Sequence, residues 1–78
     1  MKFLYIVTRG ANDPTAASVP LHMAVNGSLE VGQDVTVLFA GDGVEVLIGD
    51  NPQTLEGLGL PPMKELLPGL KDRATVYV

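Results

Sequence analysis

The chain has no cysteine, no tryptophan and a single histidine, His22, among its 78 residues. The first absence excludes disulfides, thiolate-bound metals and any thiolate chemistry carried by these residues. One imidazole is too little for a histidine metal cage, so no metal and no cofactor is expected. Basic residues are also few: 5 Lys and Arg stand against 9 Asp and Glu, a net charge of −4. With no basic run, electrostatically driven nucleic-acid binding is not expected. Long hydrophobic runs are missing as well, since no stretch approaches the roughly 20 apolar residues that span a bilayer. The apolar opening Phe3–Val7 breaks at Arg9, Gly10, Asn12 and Asp13 without a cleavage pattern behind it. These absences predict a cytoplasmic protein with no membrane or nucleic-acid partner.

What is present is apolar. Hydrophobic residues make up 46% of the chain, which excludes disorder. The length allows one domain, residues 1–78, of a size whose core supplies little surplus stability.

Strand and helix signals alternate along it. Phe3–Val7 and Val35–Ala40 are continuous apolar runs without in/out alternation, the pattern of strands covered on both faces. Between them, Asn12 or Asp13 is the N-cap of a helix entered through Pro14 and extending toward Val31, with Gly32 at its C-terminal cap. Pro20 predicts a kink in the first turns, or a regular helix that begins near it. After Gly41-Asp42-Gly43, the run Val44–Ile48 reads equally as strand or as one or two helical turns. Residues 49–59 read as a loop, and Pro61-Pro62 opens a helix that Pro68-Gly69 should end or distort. Thr75–Val78 reads as a third strand. The order β-α-β-(α)-α-β predicts an α/β fold: a three-layer α/β/α domain with a parallel sheet, three strands of which are visible.

Four segments in order resemble one family. They are the Lys2–Thr8 strand, the turn Arg9-Gly10-Ala11-Asn12-Asp13-Pro14-Thr15, Gly41-Asp42-Gly43, and the stretch Gly57-Leu58-Gly59-Leu60-Pro61-Pro62-Met63-Lys64-Glu65-Leu66-Leu67. Together they are similar to the DsrE/DsrF-like sulfur-relay family over nearly the whole chain. The resemblance implies a five-stranded parallel sheet, assembly into trimers or hexamers, a sulfur-carrier protein as partner, and persulfide chemistry on a cysteine. It also favours helix for Val44–Ile48. In such relatives a cysteine-bearing loop follows the strand matched by Thr75–Val78, and here the sequence ends at Val78. The resemblance therefore implies a domain incomplete at its C-terminus, a natural truncation being the other reading. No catalytic residue carries over, and whether the protein is an enzyme stays open.

Ligands of open parallel sheets bind at the carboxyl ends of strands, near helix N-termini. The candidate pocket is accordingly Thr8, Arg9, Gly10 and Asn12 after the first strand, with Gly41, Asp42 and Gly43 after the second. There Arg9 would neutralise an anion, and backbone donors near Asn12 and Pro14 would receive it. The plainer reading makes the glycines tight turns, Asn12 or Asp13 a cap and Arg9 a solvated side chain. Gly41-Asp42-Gly43 has neither dinucleotide nor Walker spacing. His22 has no Asp or Glu at i±3 or i±4 and reads as a surface or subunit-contact residue. Leu55, Leu58 and Leu60 in the long loop suggest a lid or a grip on a second subunit. Two functional classes follow: sulfur relay by the complete protein, or a non-catalytic oligomeric scaffold or small-molecule or anion-binding module.

Overall fold

The apolar runs at each end of the first βα unit pair directly. In the computed structural model, which describes residues 2–78, Lys2–Val7 forms β1 and Asp34–Phe39 forms β2. They run parallel in the register Lys2↔Asp34 through Val7↔Phe39. Thr75–Tyr77 forms β3, parallel to β2 from Thr36↔Thr75 to Leu38↔Tyr77, which gives the strand order β1-β2-β3. The mixed α/β class and the parallel sheet follow the sequence pattern.

Helix α1, Pro14–Met23, starts where its cap dictates. Pro14 needs no amide partner in the first turn, and the Asp13 carboxylate accepts the Ala16 amide at 3.2 Å. Asp13 rather than Asn12 is therefore the cap. The helix is continuous through Pro20, against the expectation that it begins near there, and changes type only beyond Met23. Ala24–Ser28 is a π-helical turn, marked by the Leu29 amide donating to the Ala24 carbonyl five residues back. That wider turn carries Ser28 to within 2.7 Å of the Tyr5 hydroxyl on β1. Gly32, at φ 77°, then turns the chain into β2.

The ambiguous run after β2 is helical: Gly41–Leu47 forms a 3₁₀ helix. The segment expected to be all loop holds a short helix α2, Asn51–Thr54. Helix α3, Met63–Arg73, passes through Pro68 and Gly69 instead of ending there. Pro68 lies on the exposed side, where water reaches the carbonyl that lost its amide partner. Gly69 lies against Val25, whose Cγ1 would be 2.9 Å from an added Cβ, so a missing side chain lets α3 approach the π turn.

Strand order decides the layering. Two right-handed crossovers that step the same way, β1 to β2 to β3, put α1 and α3 on the same face of the sheet. That face is sealed: Val7, Val35, Val37 and Phe39 pack against Ala17, Leu21, Met63, Leu66 and Leu70, all buried. The described residues thus supply two of the three expected layers. On the other face the alternate side chains Leu4, Ile6 and Tyr77 are 60%, 49% and 59% exposed, with Leu38 half-buried between them. Continuous apolar strands that predict two covered faces here have one.

Replacing Tyr5 by Phe should lower stability by about 1 kcal/mol, the loss of one part-buried hydrogen bond. Urea unfolding reads this as a lower midpoint at an unchanged slope. An unchanged midpoint would show that the bond to Ser28 contributes nothing.

Candidate functional site

Both predicted pocket turns lie at the carboxyl ends of the strands, and they are locked to each other. The Ala40 amide donates to the Val7 carbonyl at 3.0 Å, extending the β1–β2 ladder by one rung. Gly43 lies directly on the Val7 carbonyl group, so a Cβ there would overlap the backbone. Gly10 is buried against the Asp42 carbonyl and the Glu45 side chain with no space for a Cβ. These two glycines are required by close approach rather than by unusual torsions. Gly41, at φ 55°, is the residue of the three-residue turn that needs the left-handed region.

Two of the backbone donors around the start of α1 are taken by carboxylates. Glu45 Oε1 accepts the Ala11 amide at 3.1 Å, and Asp13 holds the Ala16 amide. Glu45 is itself fixed, because its carbonyl accepts Asn51 Nδ2 at 2.7 Å. Carboxylates thus stand at the α1 N-terminus where an anionic ligand would sit, and two like charges there oppose it. Of the candidate residues, Gly10, Asp42 and Gly43 are brought together. Thr8, Arg9, Asn12 and Gly41 are exposed around them. The sheet has no reversal of strand order between β1, β2 and β3, so the crevice that a switch point would open is not formed by these strands.

The long loop is anchored as well. The Leu58 amide donates to Thr15 Oγ1 at 2.9 Å, the Met63 amide to the Leu55 carbonyl at 3.0 Å, and Gly57 lies on the Thr15 Cα. Leu55 packs against the core, so Leu58, 89% exposed, is the one leucine of the three left fully in solvent. His22 is on the surface side of α1, with Nδ1 3.0 Å from Asn26 Nδ2. Among the described residues no group of three His, Asp or Glu converges as a metal site. No helix there is long and apolar enough to cross a membrane.

The concave surface lies elsewhere. A groove of about 790 Å³ runs between α3 and β3, floored by Phe39, Leu70 and Val76 and edged by Lys64 and Lys71. Nothing in the reading of the turns pointed to it. The available signal was the seven-residue spacing of Lys64 and Lys71, which puts them two turns apart on one side of α3.

No protein-family model matches the chain, and no curated protein and no solved structure is significantly similar to it.

Two substitutions test this arrangement. Gly43→Ala should cost about 2–3 kcal/mol, because its methyl group drives the 3₁₀ helix away from β1. Glu45→Ala should cost only about 1 kcal/mol, since the Ala11 amide it frees is exposed and water can replace the carboxylate. Thermal unfolding of both variants checks the ranking, and equal losses would refute the close packing at Gly43.

Proposed function

We propose that this chain is a non-catalytic assembly module that associates with copies of itself through the open face of its sheet. The observation that carries the reading is the uncovered row Ile6, Leu38 and Tyr77, extended by Leu4. Such a row is apolar on three adjacent strands, whereas Lys2 and Asp34 stand at the N-terminal end of the same face. Its residues Leu4, Ile6 and Tyr77 are 60%, 49% and 59% exposed, and contiguous exposed apolar patches are often interaction sites. A specific interface buries at least about 1,000 Å² in total, which two stacked copies of this face and their polar rims would have to supply.

The layout is self-complementary. A two-fold axis parallel to the strands keeps β2 over β2 and exchanges β1 with β3. Leu38 then meets Leu38, and Ile6 meets Tyr77 in both directions. Sheets stacked this way pack in the aligned mode, with strand directions within about 30° of each other.

Sulfur relay, implied by the resemblance of four segments to the DsrE/DsrF-like family, is the second reading. In that reading the relay is carried out by the complete protein, on a cysteine outside these 78 residues, none of which is cysteine.

Sedimentation equilibrium at micromolar concentration should show self-association, abolished by Ile6→Glu with the far-ultraviolet circular dichroism unchanged. A clean monomer for the unsubstituted chain, or an Ile6→Glu variant that associates equally well, would overturn the assembly reading.

A further inference from the structure

The α3–β3 groove lies on the helical side of the sheet, away from the face assigned to self-association. Its lining is largely apolar, and Val76 of β3 forms part of it. Strand β3 pairs with β2 alone, so its outer edge has no strand partner among the described residues. A free edge beside an apolar trough offers main-chain hydrogen bonds and a side-chain pocket together.

Charge is distributed unevenly around it. The chain carries −4 overall, yet Lys64 and Lys71 both stand on the groove, against Asp72 alone of the opposite sign. Arg73 is drawn off to Glu30 at 3.7 Å, while neither lysine has an ion-pair partner among the described residues. The half-buried Leu67 and exposed Pro68 lie between the two lysines along α3.

We infer that this groove takes an extended peptide that pairs with β3 and carries acidic, apolar and acidic residues at alternate positions. The spacing sets the pattern. Seven residues of helix separate Lys64 from Lys71 by about 10.5 Å. Alternate residues of a strand that point to one face repeat at about 6.6 Å, so the first and third of three such residues lie about 13 Å apart. Two acidic side chains at those positions reach the two lysines, and the residue between them enters the trough over Leu67 and Val76. A small apolar molecule would fill the trough but leave the β3 edge unpaired; the peptide satisfies both.

The probe is an acetylated, amidated Glu-Thr-Leu-Thr-Glu peptide titrated into the ¹⁵N-labelled full chain. Saturable shifts are expected in the amides of residues 74–78 and of α3. A Lys-Thr-Leu-Thr-Lys peptide should bind at least about tenfold more weakly, and so should the acidic peptide to a Lys64→Glu, Lys71→Glu variant. Both lysines are exposed, so an unchanged amide spectrum of that variant establishes that it is folded. The inference fails if no saturable shift appears, if the shifts fall outside the groove, or if both peptides or both proteins bind alike. It also fails if the same amides shift with protein concentration in the absence of peptide, which would give the groove to a second copy. Self-association through Ile6 and Leu38 is read separately by sedimentation, so either conclusion can fall without the other.

Discussion

The organisation of this protein depends on the direction of its crossovers. Each βα unit feeds the next strand on the same side, so β1, β2 and β3 lie in sequence order and α1 and α3 cover one face together. A reversal would have placed the second helix on the opposite face and opened a crevice between neighbouring strand ends. Because none occurs, one face holds the entire buried core and the other keeps Leu4, Ile6 and Tyr77 in solvent. The exposed sheet face is a consequence of that single topological choice.

Contacts made by absent side chains then fix the helical layer. Gly43 on the Val7 carbonyl, Gly10 under Glu45 and Gly69 on Val25 each mark a place where backbone meets a neighbour at a distance no Cβ permits. The first two bring the 3₁₀ helix against the end of β1, and the third brings α3 against the π turn. That turn in turn carries Ser28 to Tyr5. The same approach that makes the layer dense also delivers the Glu45 carboxylate to the Ala11 amide.

Two grounds for reading a site from sequence separate here. The glycine-rich turns are where the sequence places them, at the carboxyl ends of parallel strands, and Gly10 and Gly43 pack there without space for a Cβ. The groove beside α3 was not legible, because its walls come from β2, the 3₁₀ helix, α2, α3 and β3, brought together only by the fold. Prolines misled for a related reason. Pro20 and Pro68 remove one amide each, and propensity alone predicts a break. Burial of Leu21 on one side and of Leu66 and Leu70 on the other holds both helices through them.

By itself the sequence determined most of the local elements and their order: apolar strands, a cap at Asn12 or Asp13, the turn at Gly32 and the alternation that demands parallel crossovers. It determined too what chemistry these residues lack, since a chain without cysteine forms no thiolate. Only the tertiary structure decided which side of each strand is covered, which turn donors remain free and where a concavity forms. Those properties depend on strand order, and three apolar strands of similar composition carry no local signal that distinguishes one order from another.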